Sequence, residues 1–133
     1  METYDYVLYI EDDEDDVLVF TESFKTVSNL PVVNLSDALQ LQDFIANEMN
    51  GRYPCLLITD INMPRCTGIE LLRKIRSNEA YAQTPVVIFS TSYSNADKEI
   101  SDSLGALIFT KPNTFKQWQE MGKELVPFCH TLI

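Results

Sequence analysis

The chain has 133 residues, 45% of them apolar, a size and composition that suit one packed domain and exclude wholesale disorder. Ten Lys and Arg residues stand against twenty Asp and Glu residues, which gives a net charge of −10 at pH 7. This charge argues against nucleic acid and anionic membranes as direct partners, because both bind basic surfaces.

The acidity is concentrated near the start of the chain. Nine of the twenty acidic residues fall within residues 1–24, a stretch that contains no Lys or Arg. The remainder of the chain is almost neutral. The charge is therefore a local feature, and residues 11–16 form its densest part.

The lack of a targeting signal and the cysteine content both favour a cytoplasmic location. The sequence shows no signal peptide and no apolar run of about 20 residues, the length that a membrane-spanning helix needs. Its three cysteines, Cys55, Cys66 and Cys129, lack metal-ligand spacing. We expect all three to be free thiols in a reducing compartment, with Cys55 and Cys129 buried as small apolar residues.

Short apolar runs alternate with amphipathic segments along the whole chain. In chain order, the predicted elements are strand 7–10, helix 17–27, strand 32–35, a helix capped by Ser36 or Asp37 and ended by Gly51, strand 55–59, helix 69–75, strand 86–89, helix 95–104, strand 106–109 and helix 114–128. The five βα units predict an α/β fold of the doubly wound (βα)5 type, with a five-stranded parallel sheet between two layers of helices.

The apolar positions also predict which residues form the core. The runs 55–59 and 86–89 show no alternation, which is typical of central strands buried on both faces. In the helices, we expect the apolar side chains to face the sheet. For the second and last helices these are Leu39, Leu41, Phe44, Ile45 and Met49, and Phe115, Trp118, Met121, Leu125 and Phe128.

Polar side chains follow four of the five predicted strands. Glu11 and Asp12 follow the first strand, Asp60 the third, Ser90 and Thr91 the fourth, and Lys111 the fifth. Because the carboxyl ends of parallel strands meet at one edge of a sheet, these residues should converge there.

This set of side chains suits phosphoryl transfer. Grouped carboxylates attract a cation, and a few carboxylates with a backbone carbonyl form a typical Mg²⁺ site. A lysine and a hydroxyl opposite the metal can bind phosphoryl oxygens, and an aspartate between them can act as the nucleophile.

Four segments together resemble a response-regulator receiver domain of the CheY type. They are Glu11-Asp12, the segment 60–68 (DINMPRCTG), Ser90-Thr91 and Lys111-Pro112. The resemblance covers about residues 5–128 and implies the sheet order 2-1-3-4-5. We expect residues 1–133 to form a single receiver domain with no effector domain, a signalling switch and not a turnover enzyme.

The resemblance also implies a role for each matching residue. Asp60 would accept a phosphoryl group from a sensor histidine kinase or a phosphotransfer protein. Glu11, Asp12, Asp60 and the backbone carbonyl of Asn62 would hold Mg²⁺, for which Mn²⁺ can substitute. Lys111 would pair with Asp60 before transfer and with the phosphoryl group afterwards.

Further implied features concern the switch and its output. Ser90 would bind a phosphoryl oxygen and move on activation. From their places beside the site, we expect Asn62 and Ser92, together with Thr91, to tune the lifetime of the phosphorylated state. The family suggests a cis bond between Lys111 and Pro112. A downstream protein would bind through about residues 95–128.

The sequence departs from the usual family pattern in two places. The first acid is Glu11 and not an aspartate, and the pair could be shifted to Asp12-Asp13. We prefer Glu11-Asp12 because Ile10 ends the apolar strand, and Asp16 then falls where the family often has another aspartate. Ile108 stands three residues before Lys111, where many relatives carry a switching aromatic residue.

Other functions and other reactive residues are weaker readings of the same sequence. A degenerate receiver that binds partners without phosphorylation is the main alternative. A phosphatase with an aspartate nucleophile needs a second acid at the position of Asn62, and the acidic first loop would repel a flavin phosphate. We expect Cys66 to have no redox role and His130 to be inert.

Overall fold

The computed structural model describes residues 6–49, 51–63, 65–79 and 82–129. Within them, five strands alternate with five helical segments. The elements are β1 Val7–Ile10, α1 Glu14–Lys25, β2 Val32–Leu35, α2 (38–48), β3 Leu56–Asp60, α3 Gly68–Ser77, β4 Val86–Ser90, α4 Asn95–Ser103, β5 Leu107–Thr110 and α5 Phe115–Leu125.

The strands form one parallel sheet in the order β2-β1-β3-β4-β5, which confirms the predicted fold and strand order. The central strands β3 and β4 are almost entirely buried, as their unbroken apolar runs indicated. Among the described residues, no helix has both the length and the apolar character needed to cross a membrane.

Helix α1 departs from the sequence prediction at its start, segment α2 departs in its helix type, and α5 ends at Leu125 with a 3₁₀ turn, Val126–Cys129, in place of the last predicted residues. Helix α1 begins at Glu14, three residues early, because the Asp13 side chain caps it by accepting hydrogen bonds from the N–H groups of Asp15 and Asp16. Segment α2 is a mixed helix, with a 3₁₀ turn Ala38–Gln40, α-helical residues Leu41–Asp43 and a π-helical turn Phe44–Glu48. Of the two predicted caps, Ser36 and Asp37, it is Asp37 that caps this segment.

The core lies on both faces of the sheet. One face packs against α2 and α3, through residues that include Leu41, Leu72 and Ile75. The other packs against α1 and α5, through residues that include Phe20 and Trp118. This two-layer burial fixes the strand ends that carry the polar residues.

Two side chains predicted to face the core are exposed instead. Phe115 is 46% exposed and Leu39 is 53% exposed. Each lies in the first turn of its helical segment. The prediction of core packing was therefore wrong for these two, whereas Trp118, Met121 and Leu125 are buried as expected.

The prediction of three free thiols was wrong for two of them. Cys55 and Cys129 form a disulfide, with their Cα atoms 4.9 Å apart. The bond joins the start of β3 to the 3₁₀ turn Val126–Cys129 that follows α5. Both residues are buried as expected, and Cys66 is the free cysteine among the described residues.

Candidate functional site

The Lys111 ammonium lies among three carboxylates at the carboxyl edge of the sheet. Its Nζ atom is 2.8 Å from Glu11 Oε1, 2.7 Å from Asp16 Oδ2 and 3.0 Å from Asp60 Oδ2. An ammonium has three N–H donors, so each one has a carboxylate partner. Residues separated by up to 100 positions in the chain thus form one charged cluster.

The sheet itself brings these residues together. Strand β1 lies beside β3, so Glu11 and Asp60 leave adjacent strands. Lys111 follows β5, and its backbone N–H donates to the carbonyl of Ser90 at 2.8 Å, which ties the ends of β4 and β5. The predicted convergence of strand ends is present in the structure.

The cluster is buried and carries a net negative charge. The side chains of Lys111 and Glu11 are only 10% and 1% exposed. Burial would lower the pKa of Lys111, but the hydrogen bonds to Asp16, Glu11 and Asp60 outweigh it and raise the pKa above its ordinary value. Burial raises the pKa of Glu11, and the Lys111 ammonium opposes that shift. With all four groups charged, three negative charges face one positive charge.

Glu11 is held in place by neighbours that the sequence analysis did not identify. The buried Tyr9 hydroxyl donates to Glu11 Oε1 at 3.2 Å, and burial, then the charges of Glu11 and Asp16, raises the pKa of Tyr9 far above its usual range. The Asn34 amide donates to the carbonyls of Tyr9 and Glu11. These contacts fix the end of β1 and keep the Tyr9 proton available as a donor.

Asp60 ends β3 with its two carboxylate oxygens in different environments. Oδ2 accepts from Lys111, whereas Oδ1 accepts a hydrogen bond from the backbone N–H of Asn62 at 3.2 Å. The loop that follows is anchored by the buried side chains of Met63 and Cys66. The Asn62 N–H and the Lys111 ammonium together hold the carboxylate at the edge of the sheet.

Gly68 is required by a close approach of the backbone. A Cβ atom at this position would lie 2.6 Å from the carbonyl oxygen of Asp60 and 2.9 Å from the Cα of Ile61. The Gly68 N–H instead donates to the carbonyl of Ile61 at 2.9 Å. The start of α3 therefore packs directly against the Asp60 backbone.

The two acids after Glu11 have different surroundings. The Asp13 carboxylate caps α1, whereas the Asp12 side chain is exposed and makes no hydrogen bond or ion pair within the described part of the chain. This arrangement favours the Glu11-Asp12 register, because it leaves Asp12 available as a ligand while Asp13 is engaged in the helix cap.

The predicted metal ligands fit Mg²⁺ by their chemistry. Carboxylates of Glu11, Asp12 and Asp60 with the carbonyl of Asn62 form a set of oxygen donors, which Mg²⁺ prefers. Across the residues that the structure describes, no three acidic, histidine or cysteine side chains are arranged to hold an ion together. The Lys111 ammonium stands between Glu11 and Asp60 in the same region.

Ser90 lies at the predicted edge, but its hydroxyl is turned towards the backbone. The buried Ser90 Oγ donates to the carbonyl of Ser92 and accepts from the N–H of Ser92 at 3.1 Å. Thr91 and Ser92 are exposed beside it. Ser90 therefore shares the edge with Asp60 and Lys111, while its hydrogen bonds go to the β4–α4 loop.

Two features around Lys111 bear on the family pattern. Ile108 is buried in β5, and Phe109 is half-buried against the opposite core layer, so the aromatic residue lies on the other face of the strand. The Lys111–Pro112 bond is trans, as are the other peptide bonds of the described residues. The cis bond that the resemblance implied was wrong, because an X–Pro bond accepts either isomer at small cost and the surrounding structure selects one.

The sequence analysis assigned no reactive role to Cys66 or His130. Cys66 is buried, and burial raises the pKa of its thiol, which is consistent with the absence of a redox role. His130, expected to be inert, lies outside the described residues.

The cluster contains one charged residue whose contact sequence analysis did not foresee. Asp16 was used only to set the register of the acid pair, yet it makes the shortest contact with Lys111. The signal in the sequence was the place of Asp16 within the acidic run 11–16 that directly follows the first strand.

Comparison with known proteins gives the same assignment as the residues. The chain matches the family model of the response regulator receiver domain over residues 7–121. It is 30% identical over 127 residues to response regulator Rcp1 of Synechocystis, which covers 92% of this chain and 86% of Rcp1. It is 24% identical to chemotaxis protein CheV2 of Helicobacter pylori, of which it spans only 38%.

Solved structures share the fold along almost the whole chain. The Mn²⁺-bound form of Rcp1 superimposes with a TM-score of 0.79 at 26% identity, covering 97% of this chain and 96% of Rcp1. The phosphorylated cyanobacterial phytochrome response regulator RcpA has a TM-score of 0.83 at 24% identity, covering 98% and 97%. Together with the charged cluster at the sheet edge, these matches show that the chain belongs to the response regulator receiver domain family of two-component systems.

Proposed function

We propose that Asp60 accepts a phosphoryl group from a phosphohistidine of a sensor histidine kinase or phosphotransfer protein, in a reaction that depends on Mg²⁺. The observation that carries this proposal is the contact of one ammonium, Lys111, with both Asp60 and Glu11 at the carboxyl edge of the sheet. Phosphoryl transfer needs such positioning of charge more than it needs covalent machinery.

The transfer exchanges one bond to phosphorus for another. A carboxylate oxygen of Asp60 attacks the phosphorus atom, the P–N bond of the phosphohistidine breaks, and the imidazole leaves with the bonding electron pair. Lys111 stabilises the charge on the phosphoryl oxygens. Dephosphorylation is the attack of water on phosphorus, which breaks the P–O bond, restores the Asp60 carboxylate and releases inorganic phosphate.

Four groups would hold the metal: the carboxylates of Glu11, Asp12 and Asp60 and the carbonyl of Asn62. A bound Mg²⁺ would neutralise charge on the phosphoryl oxygens, and Mn²⁺ can take its place. Binding it would require the exposed Asp12 side chain to turn inward and Lys111 to shift its contact away from Glu11 or Asp60. The net negative charge of the cluster favours the entry of a divalent cation.

The switch acts through the β4–α4 loop and the surface beyond it. Ser90 releases the Ser92 carbonyl and donates a hydrogen bond to a phosphoryl oxygen. This exchange of hydrogen bonds moves the loop that precedes α4. Thr91 and Ser92 flank the route of water to the acyl phosphate and set its lifetime. A downstream protein binds at about residues 95–128, where Leu107 and Phe115 are exposed.

A cytoplasmic location remains part of the proposal, because phosphohistidine donors of sensor kinases act there. The Cys55–Cys129 disulfide removes the support that free thiols would have lent to it, since cytoplasmic thiols are usually kept reduced. The redox state of this pair in the cell is therefore a direct test of location.

The deciding experiment is intact-mass analysis after incubation with acetyl phosphate and Mg²⁺. We expect one added phosphoryl group. It should not form when EDTA is present, and it should be absent in Asp60→Asn. The matched control is Asp43→Asn, an exposed acid of α2 that should form the adduct like the wild type.

The alternative outcomes separate the proposal from its main competitor. No adduct together with no Mg²⁺ binding by titration would refute the proposal and support a degenerate receiver that only binds partners. If Mg²⁺ binds without an adduct, beryllofluoride provides the second test. Formation of a stable beryllofluoride complex that Asp60→Asn abolishes supports fast dephosphorylation, and its absence refutes the proposed function.

A further inference from the structure

Asp16 makes the shortest contact in the charged cluster but has no place among the proposed metal ligands. Its Oδ2 atom lies 2.7 Å from Lys111 Nζ, and its side chain is 26% exposed. The other two partners of the ammonium, Glu11 and Asp60, are both proposed to change partners during the reaction. Asp16 is the carboxylate that has no second task.

The position of Asp16 is fixed by the start of α1. Its backbone N–H donates to Asp13 Oδ1 at 3.2 Å as part of the helix cap, and the N–H of Val17 donates to the carbonyl of Asp13. The side chain therefore projects from an ordered helical turn. By contrast, Glu11 and Asp60 stand at strand ends where a cation and a phosphoryl group are to be bound.

We propose that Asp16 is a positioning residue that holds the Lys111 ammonium at the site while the lysine exchanges Asp60 for a phosphoryl oxygen. This inference rests on the proposed function. Lys111 has three N–H donors, and phosphorylation removes the charge of the Asp60 carboxylate while the metal engages Glu11. Asp16 then supplies the remaining fixed negative partner, so the ammonium stays beside the reacting group.

The same geometry defines what Asp16 does not do. It makes no direct contact with Asp60 among the contacts of the described residues, so it acts through Lys111 and is not itself a catalytic residue. Removing its charge should slow phosphorylation at saturating donor and Mg²⁺. The donor concentration for half-maximal rate should change little, because Asp16 acts on the transfer and not on the encounter.

The test measures the rate of Asp60 phosphorylation by acetyl phosphate at saturating Mg²⁺. We expect Asp16→Asn to lower the maximal rate roughly tenfold, the range expected for a lost hydrogen bond between charged groups. Asp15→Asn is the matched control, with the same change of charge one residue away and an exposed side chain. It should keep the wild-type rate, and Asp16→Glu should restore most of the loss.

A double-mutant cycle shows whether the effect passes through Lys111. In a Lys111→Met background, Asp16→Asn should slow the reaction by less than about twofold. The inference is overturned if Asp16→Asn keeps the same maximal rate as Asp15→Asn. It is also overturned if Asp16→Asn lowers the rate by the same factor in the presence and in the absence of Lys111. Thermal unfolding of each variant shows whether a lower rate reflects a loss of folded protein.

The same experiment distinguishes this inference from the function on which it rests. If the wild type forms no adduct on Asp60 and no beryllofluoride complex, both fail together. If the wild type is phosphorylated and Asp16→Asn matches the Asp15→Asn control, only the positioning role of Asp16 fails.

Discussion

At the carboxyl edge of the sheet the Lys111 ammonium contacts three carboxylates, whereas at the amino edge the Arg76 guanidinium contacts four backbone carbonyls. Arg76 donates to the carbonyls of Leu104, Ala82, Thr84 and Gly105 at 2.6–3.3 Å. The carbonyls lie just before β4 and β5, near the strand starts. The Cys55–Cys129 disulfide ties the start of β3 on the same side.

The difference between the edges lies in what each cation binds. Backbone carbonyls cannot leave without unfolding the loops that carry them, so the contacts of Arg76 are part of the fold. Carboxylate side chains can rotate and can accept a proton, a metal or a phosphoryl group, so the contacts of Lys111 are exchangeable. We therefore expect changes at the amino edge to alter stability and changes at the carboxyl edge to alter chemistry.

Cys129→Ser should produce the largest loss of stability. The disulfide closes a loop with a sequence separation of 74, for which chain entropy gives a stabilisation of roughly 4 kcal/mol. Chemical denaturation should show this decrease in the free energy of unfolding, and a reducing agent should impose a similar decrease on the wild type. Cys66→Ala, which leaves the disulfide intact, should retain the wild-type sensitivity to reductant.

Phosphorylation of the Cys129→Ser variant tests whether the amino edge also affects the chemistry at the carboxyl edge. At a temperature where Cys129→Ser is still folded, it should be phosphorylated to the wild-type extent. A loss of phosphorylation without unfolding would show that the two edges are coupled, and would break the comparison.

Arg76→Met should lower the free energy of unfolding by about 3 kcal/mol, because carbonyls in a partly buried region lose a charged donor. The control is Arg73→Met on the same helix, where the side chain is exposed and the change should stay within about 0.5 kcal/mol. Equal denaturation curves for the two variants would mean that water replaces the guanidinium at little cost.

Glu11→Gln should have the smallest effect and the opposite sign, a small gain in the free energy of unfolding at pH 7. Burial raises the pKa of Glu11, so the folded protein holds this proton more tightly than the unfolded chain does. Stability is therefore lost as the pH rises from the ordinary glutamate value of 4.5 through the higher folded value. The variant cannot ionise at this position and should lack that loss.

The measurement is the free energy of unfolding of both proteins across the acid to neutral range. The difference between wild type and Glu11→Gln should grow with pH. Glu14→Gln, an exposed acid in the first turn of α1, provides the matched change of charge. A constant difference across the range would show that the ionisation of Glu11 is not the cause.

Much of the fold could be predicted because each element carries its own periodicity. The unbroken apolar runs at β3 and β4 indicated central strands, and five βα units required a parallel sheet. Helix boundaries were less predictable. Asp13 caps α1 with its side chain, so the helix begins at Glu14. The three acidic residues of its first turn show no hydrophobic periodicity, and the sequence therefore did not indicate them as helical.

The meeting of Glu11, Asp60 and Lys111 follows from the sequence, because parallel strands end at one edge of the sheet and each residue stands at the carboxyl end of its strand. Partners that depend on distance and direction follow only from the way the elements pack together. Cys55 and Cys129 pair across a separation of 74, and Ser90 turns its hydroxyl to Ser92. The periodicity of the sequence shows which face of a helix or strand is buried. The partner of a single side chain depends instead on how separate elements pack against each other.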